Sequence, residues 1–156
     1  MESFVINVRS PVGVWGVTGD ELGLSRLSMP NEHPRASRGH APRALVDIAR
    51  QLEEYFAGDR RTFEVKFAEH RSTPFQRDVW SALQSIPYGE VRTYAKVAAS
   101  IGRVRATRAV GNANHANPWP IIVPCHRVVA ANGLGGYGGG EEVKRFLLDL
   151  EDVHYD

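Results

Sequence analysis

Cysteine occurs once in this chain of 156 residues, as Cys125 in the segment IIVPCHRVV, and His126 follows it directly. A thiolate is a strong nucleophile, and an imidazole can take the proton that the thiol must lose. On an extended chain neighbouring side chains point to opposite sides, so a bridging water would carry that proton. The segment predicts nucleophilic cysteine chemistry, although a lone cysteine is also often a small buried hydrophobic residue.

A glycine-rich segment, GLGGYG, covers residues 133–138. It matches the dinucleotide-binding pattern of glycines, but too little chain follows it for the second strand that such a site needs. Glycines also let backbone amides approach a ligand closely, and Tyr137 could form a wall of such a site. The alternative is a flexible surface turn.

Composition narrows the classes of protein further. The six histidines show no ligand spacing, and one cysteine cannot build a usual zinc site, so we predict neither a metal nor a cofactor. No apolar run reaches the roughly 20 residues that a membrane span requires, and the first residues lack a secretory pattern. We therefore expect no membrane partner and a cytoplasmic or nucleoid-associated protein.

Charge is distributed unevenly along the chain. The net charge is only +1, yet residues 91–140 contain no Asp or Glu. A one-sided basic region attracts polyanions such as DNA, although it can also be a solvated face. The basic residues of this stretch are Arg92, Lys96, Arg103, Arg105, Arg108 and Arg127.

The first half of the chain mixes strands with one helix. Apolar residues alternate with polar ones near residues 4–8, 12–17, 22–27 and 63–67, which predicts four strands. A polar loop over 31–41 precedes Pro42, where a helix can begin. Its apolar stripe is formed by Leu45, Ile48, Leu52 and Phe56, and Gly58 ends it.

The second half is mainly helical. Thr73 and Pro74 can start a helix, and the PYGEV segment ends it. Thr93 can cap the next helix, which Gly102 stops, and a further helix is predicted from about Arg105 to Asn114. These two short helices make a helix-turn-helix candidate. A last amphipathic helix carries Val143, Phe146, Leu147 and Leu150.

The second helix of that pair has small side chains, which suit the narrow minor groove better than base reading in the major groove. Arg108 could then act as a wedge in the base stack. The alternative is that small residues allow close helix packing. Ala106, Ala109, Val110 and Ala113 fall on one side of this helix. The small residues are Ala106, Thr107, Ala109, Gly111 and Ala113.

Three segments together resemble the O6-alkylguanine-DNA alkyltransferases, also called methylated-DNA–protein-cysteine methyltransferases. They are IIVPCHRVV with its flanking NPWP and GYGGG, then TPFQRDVWSALQSIPYGEVRTYAKVA, and RATRAVGNANHANP. The resemblance implies an α/β (α+β) fold. A ribonuclease-H-like sheet-plus-helix domain would cover residues 1–68, and a mainly helical, winged-helix or helix-turn-helix domain with the active site would cover 73–156.

The resemblance also implies direct DNA repair. The protein would bind duplex DNA in the minor groove, flip out an alkylated guanine, and transfer the alkyl group irreversibly to its own cysteine. O4-alkylthymine is expected as a second substrate. Each molecule would react once, as a monomer and without a cofactor.

Residue roles follow from the same likeness. The catalytic set would be Cys125 as acceptor, His126 as water-mediated base, Glu151 orienting the histidine, and Tyr94 assisting the departing guanine. The substrate-binding set would be Val128, Tyr137, Gly138, which stands where many members carry serine, and Asn117, which would also act as a hinge. The DNA-binding set would be Arg108, Thr107, Ala109, Gly111, Thr93 and Tyr94.

Two other classes of function stay open from the residues alone. A cysteine hydrolase would use Cys125 with a distant histidine and would turn over repeatedly. A DNA-binding module would recognise lesions without any chemistry, but relatives of that kind lack the cysteine that this chain has.

Overall fold

In the computed structural model of this chain, residues 3–153 are described, and the chain divides between His70 and Arg71 into two compact units. Compactness does not show that either unit folds or acts alone, so the domain limits 1–68 and 73–156 stay a prediction. The fold class is confirmed: the first unit combines a small sheet with a helix, and the second is mainly helical.

Three antiparallel strands form the sheet of the first unit. They are β1 (Phe4–Ser10), β2 (Gly13–Asp20) and β3 (Gly23–Ser28), in the order β1-β2-β3. Alternation of apolar residues sends one side of each strand into a common core. That core contains Val8, Trp15, Val17, Leu24 and Leu27.

One helix, α1 (Arg43–Phe56), covers this sheet. Its buried positions recur every three or four residues, as the predicted stripe requires. The stripe ends on Tyr55 rather than on Phe56, which stays half-buried. Gly58 follows with φ +82°, a conformation that favours glycine.

The strand predicted over residues 63–67 is wrong. Only Phe67 forms a bridge, to Leu24, and no longer ladder develops there. The side chain of Gln51 explains the difference, because its amide both donates to and accepts from the backbone of Glu64, each at 2.9 Å. A side chain thus takes the place of a neighbouring strand.

Capping residues fix the first helices of the second unit. Thr73 and Gln76 exchange hydrogen bonds of 3.1 and 3.0 Å at the start of α2 (Pro74–Gln84), which is a capping box. Thr93 accepts from the Lys96 amide at 3.1 Å at the start of α3 (Tyr94–Ser100). Both caps match the sequence prediction.

The next helix, α4 (Thr107–His115), begins two residues later than predicted. Its buried face carries Val110, Ala113 and Asn114, whereas Ala109 is exposed. Ala113 is in the core instead of on the groove side.

Trp80 on α2 packs against α4. Its Nε1 donates to the Ala113 carbonyl at 2.8 Å. Its ring meets that of Trp119 edge-on, with centroids 5.6 Å apart.

Two short strands complete the second unit. β4 (Arg92–Thr93) pairs in parallel with β5 (Val128–Val129), and α5 (Glu141–Leu150) follows the glycine-rich segment. The pairing fixes the start of α3 beside the chain that leaves Cys125. Across the described residues, no helix combines the length and apolar character needed to cross a membrane.

Candidate active site

Cys125 opens a 3-10 turn, Cys125–Arg127, rather than lying on an extended chain as assumed from the sequence. The residue is only 2% exposed. The Tyr137 hydroxyl lies 3.6 Å from its Sγ atom. The sulfur is therefore covered in this state, but its neighbours are polar groups.

Burial raises the pKa of the Cys125 thiol above its ordinary value. Hydrogen bonds from Tyr137 and Asn117 and the charge of Lys144 act in the opposite direction without cancelling it. Burial therefore outweighs the groups that favour the thiolate. The thiol holds its proton at neutral pH, and a proton acceptor is required.

Two asparagines tie the reactive turn to α4. Asn117 donates to the Val123 carbonyl at 2.7 Å and accepts from the Trp119 amide at 3.0 Å. Asn114, which the sequence analysis missed, donates to the carbonyl of Cys125 itself at 3.3 Å. The backbone around the sulfur is therefore fixed by side chains at the end of the helix.

His126 and Glu151 form a fully buried pair, with Nε2 2.7 Å from Oε2. An ionised carboxylate can only accept, so the imidazole proton lies on Nε2. Among the described residues, no group bonds to the buried Nδ1 atom of His126. This arrangement leaves Nδ1 as a proton acceptor, with Cys125 next to it in the chain.

Arg127 holds the same carboxylate from the other side. Its Nε and Nη2 donate to the two oxygens of Glu151 at 2.8 and 3.1 Å. Its Nη1 donates to the Ile86 carbonyl at 2.7 Å. Arg127 is only 6% exposed, so it does not belong to the basic surface inferred from the sequence.

The charges of this cluster set its protonation states. Burial alone would raise the pKa of Glu151, but His126 and Arg127 hold it far below its usual range. Burial lowers the pKa of His126, and Arg127 and Lys144 lower it further, against the opposing effect of Glu151. The cluster at neutral pH is an anionic Glu151, a cationic Arg127 and a neutral His126.

Lys144 on α5 is a site residue that the sequence analysis missed. Its Nζ donates to the carbonyls of Val128 at 2.7 Å and Gly136 at 3.2 Å. Burial lowers its pKa to about 8. Helical spacing could have indicated its burial, because residues 144, 147, 148 and 151 share the inner face of this helix.

The glycine-rich segment is packed against side chains rather than being a loose turn. Tyr94 donates to the Gly136 carbonyl at 3.5 Å. A Cβ atom added at Gly135, where φ is +79°, would lie 3.1 Å from the Ala130 nitrogen. At Gly138 it would lie 3.1 Å from the His115 ring, so a serine here would need that ring to move.

The predicted DNA-binding residues lie at the start of α3 and in α4. Thr107, Arg108 and Ala109 are exposed at the start of α4. Gly111 is half-buried, and a Cβ atom added there would lie 3.9 Å from the Tyr94 ring. Half-buried Thr93 caps α3. The exposed basic residues around this surface are Lys96, Arg103, Arg105 and Arg108.

Within residues 3–153, no group of three or more His, Cys, Asp or Glu side chains is arranged to hold a metal ion.

Two family models match the chain. The 6-O-methylguanine DNA methyltransferase ribonuclease-like domain matches residues 6–68, and the DNA binding domain of the same family matches residues 74–153. The chain belongs to the 6-O-methylguanine DNA methyltransferase family.

Individual relatives agree along nearly the whole chain. A constitutive methylated-DNA–protein-cysteine methyltransferase of Bacillus subtilis is 51% identical, and the match covers 98% of each chain. The enzyme of that name from Methanosarcina acetivorans is 47% identical, over 91% of this chain and 94% of its own. The crystal structure of Mycobacterium tuberculosis OGT in complex with DNA is 46% identical, with a TM-score of 0.81, over 93% and 90% of the two chains.

Proposed function

We propose that this protein repairs DNA by moving an alkyl group from O6 of guanine, and from O4 of thymine, irreversibly to Cys125. The observation that carries the proposal is the arrangement around the only cysteine of the chain. A hydroxyl lies 3.6 Å from the sulfur, and a neutral imidazole with an unused ring nitrogen follows it in sequence. The family membership of the chain supports the same chemistry.

DNA would be bound at the exposed side of α4. Thr107, Ala109 and Gly111 present little bulk there, which allows close approach to the minor groove. Arg108 would enter the base stack and hold the space of the flipped nucleotide. Flipping is required because the alkylated oxygen of a stacked, paired base is out of reach of a side chain on the protein.

The transfer itself is a displacement at the alkyl carbon. His126 Nδ1 would take the thiol proton through a water, and the thiolate would form the new sulfur–carbon bond. The carbon–oxygen bond breaks, and its electron pair stays with the guanine. Tyr94 would donate its hydroxyl proton to the departing base and would regain the proton that His126 took from the thiol, so the net products are neutral guanine and a thioether.

The substrate would have to displace the group that covers the sulfur. We infer that the half-buried ring of Tyr137 swings aside and becomes a wall of the base pocket. Val128 and Gly138 would line this pocket through their backbone atoms. Asn117 would keep the cysteine turn aligned with α4 during this change.

The test is intact-mass analysis after incubation with duplex DNA that contains O6-methylguanine. We expect one added methyl group per molecule, mapped to Cys125, and no reaction of Cys125→Ser. Binding of that variant to the same duplex should persist, because the serine leaves α4 untouched. Repeated turnover without an adduct would indicate a hydrolase, and an unreacted wild-type thiol with tight DNA binding would indicate a lesion-binding module.

A further inference from the structure

Glu151 accepts hydrogen bonds from three directions. His126 Nε2 lies 2.7 Å from Oε2, the Gly89 amide donates to Oε1 at 3.2 Å, and Arg127 donates to both oxygens. These bonds fix the plane of the carboxylate, so only one of its lone pairs points to His126. The arginine supplies two of these bonds.

Arg127 is itself held rigidly. Its guanidinium donates to the Ile86 carbonyl at 2.7 Å, and its Cζ lies 5.8 Å from the centre of the Tyr88 ring. Tyr88 in turn donates to the Leu150 carbonyl at 3.2 Å, next to Glu151. The turn after α2 and the end of α5 are thus joined through this side chain.

The charge of Arg127 matters as much as its geometry. A buried carboxylate 2.7 Å from an imidazole favours imidazolium over imidazole. An imidazolium has no lone pair, so it cannot act as a base toward the thiol. A guanidinium is always protonated and offsets the carboxylate charge at bonding distance.

We propose that Arg127 is a positioning residue for alkyl transfer, which orients Glu151 and offsets its charge so that His126 stays neutral with Nδ1 available to the thiol. The inference rests on the proposed function for its effect on rate. Its effect on the histidine is independent of that function.

Two other titratable groups bear on the charge of His126, and neither favours imidazolium. Lys144 on α5 is cationic and also disfavours imidazolium, but it bonds to the carbonyls of Val128 and Gly136 rather than to Glu151. Cys125 is a neutral thiol at neutral pH because burial raises its pKa. Among these groups only Arg127 contacts the carboxylate directly.

The experiment follows the His126 ring by NMR through a pH titration, together with single-turnover methyl transfer from a duplex across the same pH range. In Arg127→Met we expect the histidine titration and the acid limb of the rate profile to move up together by about one pH unit or more. Arg127→Lys, which keeps the charge but not the paired bonds, should show a smaller shift. Arg145→Met, at an exposed arginine that pairs with Glu141, is the matched control and should change neither.

A double variant separates the effect of the Arg127 charge from a general loss of structure at the site. Arg127→Met with Glu151→Gln removes both charges, so the histidine should titrate near or below its position in the wild type. A uniform loss of rate in Arg127→Met, with the His126 titration unmoved, would overturn the inference. If wild-type protein transfers no methyl group, the proposed function fails, while the NMR titration still decides the role of Arg127.

Discussion

The Nζ atom of Lys144 lies 2.7 Å from the Val128 carbonyl oxygen, although the lysine side chain is completely buried. The same ammonium reaches Gly136, so one charge connects β5, the glycine-rich segment and α5. It also lowers the pKa of Cys125. A single buried lysine therefore contributes both to the shape of the site and to the acidity of the thiol.

Lys144→Met should slow methyl transfer by about tenfold at pH 7, because the loss of a nearby cation raises the pKa of Cys125 further. The measurement is a single-turnover rate on a duplex with O6-methylguanine. Lys66→Met, at an exposed lysine of the first unit, is the control. Equal rates for Lys144→Met and wild type at every pH would contradict the electrostatic role.

The contribution of Lys144 to the stability of the wild type should rise between pH 8 and pH 10. Lys144 has a folded pKa of about 8, below its ordinary 10.5, so the unfolded chain binds more protons in this range and stability increases with pH. Denaturant unfolding at several pH values measures the effect. Lys144→Met should lack this rise, and a rise of equal size in both proteins would place its origin elsewhere.

Glu151→Gln should lower the free energy of unfolding by about 3 kcal/mol at pH 7, because Arg127 is left buried without its counter-charge. The folded pKa of Glu151 is depressed, so its stabilisation is complete above about pH 4.5, the ordinary value, and is lost as the pH falls below it. The difference in the free energy of unfolding between wild type and Glu151→Gln should therefore become smaller as the pH falls. Asp149→Asn, at an exposed carboxylate on α5, should show no comparable gap.

Gly135→Ala should reduce methyl transfer and destabilise the protein by about 1 kcal/mol, since φ is +79° and the new Cβ would lie 3.2 Å from the Tyr94 ring. Gly136→Ala is the matched control, because an added Cβ meets nothing within 4 Å there. Rates and unfolding curves of the two variants check the prediction. Identical behaviour would mean that the backbone at Gly135 is not constrained.

Arg108→Ala should slow repair of duplex DNA about tenfold or more, while reaction with a free O6-alkylguanine base stays close to the wild-type rate. In the proposed function this arginine holds the flipped state, and it lies outside the cluster around the sulfur. Both rates are measured on the same preparation, with Arg145→Ala as the control. Loss of reaction with the free base alone would be incompatible with this role.

Local sequence signals were sufficient for most of the elements. Thr73 and Thr93 marked the starts of α2 and α3 because a threonine cap acts within one turn of chain. The strand predicted near Phe67 failed because Gln51, distant in sequence, takes the hydrogen bonds of the neighbouring Glu64 backbone. Propensity cannot anticipate such a contact.

The sequence pointed to two residues of the candidate site and missed several that surround them. Cys125 and His126 stand side by side in the sequence, and Glu151 came from the family resemblance. Arg127 looked like one more surface cation, because charge counting does not show burial. Asn114 is likewise defined by its contact with the Cys125 carbonyl, which only the folded chain reveals.

The two tryptophans that meet edge-on between α2 and the Asn117 turn give the second unit an optical probe of its own. One indole is bonded to α4 through Ala113, and the other lies six residues before Cys125. Contact of α4 with a duplex, and later the arrival of a methyl group, should each disturb the fluorescence of this pair. Binding and chemistry could then be timed in one stopped-flow trace without an attached dye.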